Sequence, residues 1–373
     1  MMPAGFLQAS ANMQEPKYDQ STPISIWQTY TGGFNLGIHE YVSGNFDYRV
    51  TQIKKPSSNF KSGYLFIHNG NLFAQDLANS KQYTFNPNEK FTRSRKKVSS
   101  IGVYKSSFFQ FDFDDKANKI YACPISNIRE CKSVDLHPGT FTYMYAEKNN
   151  SVLAISNWGD AVLWRDGSWC RLTMDSDFWA CENPQPDILR QPRGLQFYSS
   201  VHYQEKVLVG AWPTGRIYEF DGATLKPSEF SPPFTEEFKS SRLGFEAQSM
   251  AVYCGDLFVG YWPKGEVWRW DRLEEKWSLF YRFFSESPDE SFVPYANRTP
   301  DGLPGSFFGQ RITSLIPFGN DLYLATSNLG GWTLDSKANA VIGKRATKEY
   351  GAIYKISRYG CKSTYYKKII KQR

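Results

Sequence analysis

Short apolar runs recur along most of this chain, with turn-forming residues between them. In many runs apolar and polar positions alternate, as they do in a β-strand that is buried on one face. Gly, Asn and Asp separate the runs at a spacing that is typical of antiparallel hairpins. No long window places apolar residues at i, i+3, i+4 and i+7, so the pattern predicts an all-β protein.

The sequence also repeats itself. The stretches "VLVGAWPTGRIYEFDG" and "LFVGYWPKGEVWRWDR" match almost position for position, and each predicts strand, Trp-Pro-x-Gly turn, strand and Asp-led turn. Counted from Gly63, six copies of this unit follow one another, close to the ~40–50-residue period of a propeller blade. The copies, two clear and four weaker, are at 207–222, 257–272, 63–76, 101–125, 142–172 and 312–331.

This repeat predicts a β-propeller of four-stranded antiparallel blades, because each small sheet is covered only by its neighbours in a ring. Residues 24–53 are strand-like as well and predict either a seventh blade or strands that close the ring against the last blade. Seven blades are preferred, with six as the alternative. Residues 24–373 are expected to form a single propeller domain, and residues 1–23 a flexible N-terminal lead-in.

The stretch "GYWPKGEVWRWDR" resembles the blade repeat of β-propeller proteins in the broad sialidase-, kelch- and WD40-like group. Trp270-Asp271 is similar to the end of a WD40 third strand, and Asp166, Gly167 and Trp169 resemble a shortened Asp-box. A Gly-His opener and recurring double glycines are missing from the sequence. The resemblance therefore implies an architecture but no specific family and no catalytic residues.

In a propeller, the turn between strands two and three lies on the same face as the start of strand one, and such loops commonly bind ligands. Prolines 213 and 263 are expected to stiffen these turns. Their indoles have two possible roles, stacking on a ligand or packing between blades. The tryptophans predicted on this face are Trp158, Trp212, Trp262 and Trp332.

Amides and charged groups are predicted on the same face, where they either hold ligand hydroxyls and carboxylates or satisfy loop carbonyls. Gln196, Gln248 and Gln310 are expected to open inner strands, with Arg242 beside them as a further ligand-binding residue. Catalytic residues stay unassigned because no nucleophile or phosphate-binding motif occurs. The weak catalytic candidates are Glu246, Arg193 and Arg311.

Three functions follow from this face. The preferred one is a recognition module that binds a glycan or a protein partner without catalysis. The first alternative is a glycan-processing enzyme, either a glycoside hydrolase or a polysaccharide lyase, with a pocket at the channel mouth. The second alternative is a structural scaffold in a larger assembly. No cofactor is expected, and no metal, because the four histidines lack ligand-like spacing.

Charge and cysteines add limited information. A net charge of +7 is mildly basic and spread along the chain, so nucleic acid is an unlikely partner. No run of apolar residues is long enough to span a membrane, and the oligomeric state is open.

Cys123 and Cys131 face each other across a predicted hairpin and allow a disulfide, as do Cys170 and Cys181 more loosely; the alternative is that all are reduced. The first pair favours an exposed or extracellular location, whereas the N-terminus has no recognisable signal peptide.

Overall fold

The computed structural model describes the strands and most of their hairpins, in blocks separated by loops. The described residues are 39–40, 48–57, 60, 63–68, 71–76, 81–86, 90–94, 102–104, 107–113, 118–124, 127, 130–136, 142–156, 161–175, 178–182, 196–233, 244–285, 309–328, 348–358 and 362–363. The lead-in predicted at residues 1–23 lies outside these blocks.

The described chain is built from β-strands, as the alternating pattern predicted. The strands are β1 His39–Glu40, β2 Tyr48–Ile53, β3 Gly63–His68, β4 Asn71–Asp76, β5 Gln82–Phe85, β6 Phe91–Arg93, β7 Gly102–Tyr104, β8 Ser107–Phe113, β9 Asn118–Pro124, β10 Lys132–Leu136, β11 Thr142–Lys148, β12 Ser151–Ser156, β13 Ala161–Arg165, β14 Ser168–Asp175, β15 Phe178–Glu182, β16 Gln196–Tyr203, β17 Lys206–Trp212, β18 Ile217–Phe220, β19 Leu225–Pro227, β20 Glu246–Tyr253, β21 Asp256–Trp262, β22 Glu266–Asp271, β23 Lys276–Arg282, β24 Arg311–Phe318, β25 Asp321–Ser327, β26 Ile353–Arg358 and β27 Lys362–Ser363.

These strands form successive antiparallel four-stranded sheets, which we number as blades 1 to 6. Blades 1, 2 and 5 are the meanders β3–β6, β7–β10 and β20–β23. Blade 3 (β11–β14) and blade 4 (β16–β19) are linked by β15, which pairs with both β14 and β19. Blade 6 consists of β24–β26 and the N-terminal strand β2. Residues 48–53 therefore close the last blade, as one of the two alternatives predicted; the total number of blades stays a prediction.

The apolar core lies in the seams between neighbouring blades, and these seams complete a ring. Each seam contains buried side chains from both of its blades, and the last blade packs on the first. Examples are Phe66, Ile120 and Val152 for blades 1 to 3, Leu163 and Phe220 for blades 3 and 4, Leu208 and Val259 for blades 4 and 5, Phe258 and Leu324 for blades 5 and 6, and Ile316 and Leu72 for blades 6 and 1. The fold is thus a β-propeller.

Inner strands of adjacent blades are joined by serine hydroxyls. Ser199 Oγ donates to the carbonyl oxygen of Ala247 at 2.7 Å, and Ser249 Oγ donates to that of Ile312 at 2.7 Å. In blade 6 the equivalent Ser314 instead accepts a hydrogen bond, from a backbone N–H of blade 1. Buried polar groups are stable when they are paired, so each serine fixes the height of one blade against the next.

The glycine in each clear copy of the repeat makes this approach possible. Gly210 lies opposite Ser199 in the hairpin, and Gly260 lies opposite Ser249. A Cβ on Gly210 would lie 2.6 Å from the carbonyl oxygen of Ala247, and a Cβ on Gly260 would meet Ser249 Oγ at 2.7 Å. The repeated "VG" is therefore required by seam packing.

A charged cluster fastens β2 to blade 5 at the other end of the seam. Tyr48 donates from its hydroxyl to Asp256 Oδ2 at 2.8 Å and accepts from Arg358 at 3.0 Å. Arg269 Nε also donates to Asp256 at 2.8 Å, while both guanidinium groups lie over the Tyr48 ring. Asp256 is buried, so removing one of its partners would leave an uncompensated charge in the seam between β2 and blade 5.

Disulfides cross two outer hairpins. Cys123 bonds to Cys131 and Cys170 bonds to Cys181, which confirms both pairings predicted from the spacing. Cys254 is also disulfide-bonded. The alternative in which all the cysteines are reduced is therefore wrong.

Candidate functional site

The candidate site lies where the inner strands of blades 4, 5 and 6 begin. β16, β20 and β24 each have a β-bulge close to their start, so that Tyr198, Gln248 and Thr313 are inserted as extra residues. A bulge changes the direction of the side chains around it. The strand starts therefore gather polar groups at one end of the channel, which we call the channel mouth.

The register shows that the three predicted glutamines are not equivalent. Gln196 opens β16 and pairs with Trp212, whereas Gln248 is the bulge residue of β20, and Gln310 precedes β24. The positions equivalent to Gln196 are Glu246 and Arg311, which open the next two inner strands. The expectation that each of the three glutamines opens an inner strand is therefore wrong for Gln248 and Gln310: the opening positions carry an amide, an acid and a guanidinium.

The Trp-Pro-x-Gly turns connect neighbouring blades through their backbones. Phe245 N–H donates to the carbonyl of Pro213 at 2.6 Å, and Gln310 N–H donates to that of Pro263 at 2.8 Å. Gly265 N–H returns a hydrogen bond to the Gln310 carbonyl at 3.1 Å. The peptide bonds before both prolines are cis. The turns thus set where the next inner strand starts.

Packing explains at least one of the repeated tryptophans. Trp262 is 0% exposed, and Gly309 lies so close that a Cβ there would be 1.9 Å from the indole nitrogen. The ring therefore packs in the core, and the prediction that Trp262 offers an exposed stacking surface is wrong. Trp212, at the equivalent position of blade 4, is half-buried and keeps an accessible part. The two copies of the turn therefore differ in what they offer a ligand.

Glu246 and Arg311 form a buried ion pair across the seam between blades 5 and 6. Arg311 Nη1 donates to Glu246 Oε1 at 2.9 Å and to Oε2 at 3.2 Å, and it also donates to Gln248 Oε1. The guanidinium carbon lies 5.2 Å from the centre of the Trp262 ring. Glu246 is 1% exposed and Arg311 is 4% exposed. The structure thus brings together four residues that the sequence nominated separately.

Burial dominates the protonation of this pair. Loss of water around Glu246 raises the pKa of its carboxyl to about 7, while the nearby Arg311 charge and its hydrogen bond lower it. Tyr350 lies near the same guanidinium, and burial raises the pKa of its phenol well above the ordinary value. Glu246 is therefore an acid that changes charge near neutral pH.

The mouth continues towards blade 4 with a hydroxyl and an amide. Tyr198 donates from its phenol to Gln196 Oε1, and the ring is 8% exposed. Gln196 itself is half-buried. Sequence reasoning did not single out Tyr198, because nothing in the sequence marks it as a bulge residue; aligning the repeats on the bulge would have found it.

Several nominated residues lie outside the described residues: Trp158, Trp332, Arg193 and Arg242. Their roles stay predictions. Among the residues that the structure describes, no group of three potential metal ligands occurs, and no helix has the length and apolar character needed to cross a bilayer.

Comparisons with known proteins give structural neighbours only. No protein-family model matches the chain, and no curated protein sequence matches it either. Virginiamycin B lyase from Staphylococcus aureus has a TM-score of 0.38 at 11% identity, over 83% of this chain and 99% of its own. A PQQ-bound aldose sugar dehydrogenase from Streptomyces coelicolor gives 0.40 at 11% identity, over 84% and 98%. A protein of unknown function from Bacteroides thetaiotaomicron gives 0.43 at 10%, over 84% and 76%.

Identities and TM-scores this low carry no functional argument. The propeller assignment rests on the closed ring of sheets and seams described above. The finer sialidase-, kelch- or WD40-like resemblance suggested by the repeat stays a prediction.

Proposed function

We propose that this protein is a recognition propeller that binds a glycan at the channel mouth without transforming it. The observation that carries the proposal is the concentration of buried polar side chains there. Of the nineteen buried polar or charged residues in the described chain, ten lie at this end of blades 5 and 6: Glu246, Gln248, Ser249, Gln310, Arg311, Thr313, Ser314, Thr326, Ser327 and Asn328. Ser249 and Ser314 join neighbouring blades as described above; polar and charged side chains are otherwise uncommon in protein interiors, so the remaining eight mark this end of the two blades.

Gln248 gives the proposal a specific hydrogen-bond donor. Its side-chain nitrogen is buried and donates no hydrogen bond to the described part of the protein. A buried amide donor without an acceptor costs about 1–3 kcal/mol, which a ligand hydroxyl or a water molecule recovers. Gln196 and Tyr198 extend the same surface towards the half-buried Trp212 ring, which suits the apolar face of a sugar.

The charge balance of the described site favours binding over hydrolysis. Glycoside hydrolysis usually needs two carboxyl groups on opposite sides of the bond. Glu246 already faces Arg311, and Glu266 accepts hydrogen bonds from Arg282 and from Trp268. These acids are engaged by protein cations and donors, so hydrogen bonding and stacking are the supported chemistry.

The disulfides support recognition outside the cytosol. Bonds such as Cys123–Cys131 and Cys170–Cys181 form and persist in oxidising surroundings. Glycans and the surfaces of partner proteins are both present there. A protein partner is the alternative ligand and an outcome of the test below.

The test combines a glycan array with matched glutamine variants. Gln196→Ala and Gln248→Ala should each weaken the best array hit about tenfold or more, the size expected for one lost hydrogen bond of about 1.4 kcal/mol. Gln204→Ala is the control, because Gln204 follows the other end of β16 in an exposed hairpin. An array with no hit would remove glycan recognition and favour a protein partner, whereas equal affinity in all three variants would remove the channel mouth as the binding site.

One observation favours the glycan-processing alternative. The pKa of Glu246, raised to about 7 by burial, is that of a group able to act as acid and base near neutrality. A reducing-end assay on the array hit tests this directly. Turnover that Glu246→Gln abolishes would replace recognition with catalysis, whereas hits that stay intact after prolonged incubation support the binding function.

A further inference from the structure

Arg311 is the cation best placed to distinguish acidic from neutral ligands at the described channel mouth. It opens β24, the inner strand of blade 6, beside the Trp262 ring and opposite Glu246 of blade 5. Guanidinium groups recognise carboxylates more strongly than hydroxyls, because charge-assisted hydrogen bonds are about twice as strong. In the structure the carboxylate bound by the Arg311 guanidinium is that of Glu246.

A ligand carboxylate at Arg311 conflicts electrostatically with an ionised Glu246. Two carboxylates on one guanidinium leave a net negative charge in a buried seam, which desolvation makes costly. Among the described residues, the charged group that faces Glu246 is Arg311 from β24. Tyr350, from the segment before β26, faces Arg311. Neither group can neutralise a second carboxylate at this position, so the ligand carboxylate is accommodated only when Glu246 is protonated.

We propose that the channel mouth binds an acidic sugar together with one proton: the ligand carboxylate pairs with Arg311, and Glu246 takes up a proton from solvent. Above pH 7, where Glu246 is ionised, the net charge of the site is unchanged, because the carboxylate that leaves the ion pair is neutralised as the new one arrives. This inference rests on the proposed glycan recognition and names its ligand class, a sugar carboxylate such as a uronate.

Energetics favour this exchange near neutral pH. Burial raises the pKa of Glu246 to about 7, so adding the proton costs little at neutrality and nothing at lower pH. A sugar carboxylate, with a pKa similar to an ordinary carboxyl, stays ionised at pH 5.5. Affinity should therefore be constant from about pH 5.5 to 7 and weaken about tenfold per pH unit above 7.

The experiment compares sugars that differ only in charge. D-glucuronate, D-galacturonate and N-acetylneuraminate, with their methyl esters, are titrated into the full chain by calorimetry between pH 5.5 and 8.5. At pH 5.5 at least one acid should bind more tightly than its ester, and should lose affinity above pH 7. Repeating the titration in buffers of different ionisation enthalpy should reveal uptake of one proton per ligand at pH 8.

Variants locate the coupling. Glu246→Gln should bind the acid with an affinity that no longer depends on pH, and Arg311→Gln should lose the preference for acid over ester. Thermal unfolding checks that both variants fold, and the proton uptake of the wild-type protein tests the coupling without any variant. Equal binding of acid and ester, a pH-independent affinity, or no binding of any acid overturns the inference. If neutral glycans still bind on the array, recognition stands and only the acidic ligand class falls.

Discussion

Gly260→Ala tests the seam packing on which the whole site depends. Gly260 lies in the second strand of blade 5, next to Ile312 in the inner strand of blade 6. A Cβ at this position would lie 2.6 Å from Ile312 Cβ and 2.7 Å from Ser249 Oγ. Carbon atoms normally pack at about 3.5–4.0 Å, so the two blades must separate by roughly 1 Å.

The expected loss of stability follows from three effects. Overpacking of a rigid core costs about 1–3 kcal/mol. The hydrogen bond from Ser249 Oγ to the Ile312 carbonyl, 2.7 Å long in the structure, is stretched and loses about 1 kcal/mol. Alanine restricts the unfolded chain and returns about 0.4–1 kcal/mol. The net destabilisation should therefore be about 2 kcal/mol.

Urea unfolding followed by tryptophan fluorescence, with the disulfides intact, measures this change. Ala325 occupies the equivalent position of blade 6 and pairs with Ser314, so Ala325→Gly serves as the reverse substitution. It should cost only about 0.5–1 kcal/mol through chain entropy. A Gly260→Ala protein that is as stable as wild type, or more stable than Ala325→Gly, would refute the idea that the repeated glycine exists for blade-to-blade approach.

Three further outcomes are expected. Glu246 contributes stability that is fully present below its unfolded pKa near 4.5 and is lost as the pH rises through its folded pKa of about 7. Urea midpoints of the wild-type protein should therefore fall over that pH range, and Glu246→Gln should flatten the profile. A Glu246→Gln profile that is the same as the wild-type profile contradicts this. Tyr48→Phe removes the hydroxyl that bonds Asp256 and Arg358, and should cost about 1–3 kcal/mol and speed hydrogen exchange in β2, unless the cluster is incidental. Trp262→Ala should lose about 3–5 kcal/mol in the same unfolding assay, whereas a near-neutral effect would mean that the ring is not a core residue.

Local turn chemistry and strand periodicity were readable from the chain. The Asp-led turns, for example, depend on side chains that bond their own backbone: Asp221 Oδ1 accepts from the N–H of Ala223 at 2.8 Å and from that of Thr224 at 2.7 Å. Facing cysteines across a hairpin follow from the same short-range geometry. Contacts of this kind involve neighbours in sequence, so residue type and spacing are sufficient.

The site was only partly readable, because its groups come from different blades. Sequence reasoning nominated Glu246, Arg311 and Gln248, but it placed all three glutamines at strand openings and did not pair the acid with the guanidinium. The bulges shift each inner strand by one residue, and a bulge has no clear signal in a single sequence. The exposure of Trp212 and Trp262 could not be predicted from the sequence either, because Gly309, nearly fifty residues away, packs on the Trp262 ring.

By itself, the sequence determined the strands, their turns, the repeat and thus the ring, because those depend on residue pattern over short distances. Only the tertiary structure decided which polar groups meet at the channel mouth and how burial shifts their charge. Those properties arise from residues in neighbouring blades that approach within hydrogen-bonding distance, and from the water that their packing excludes.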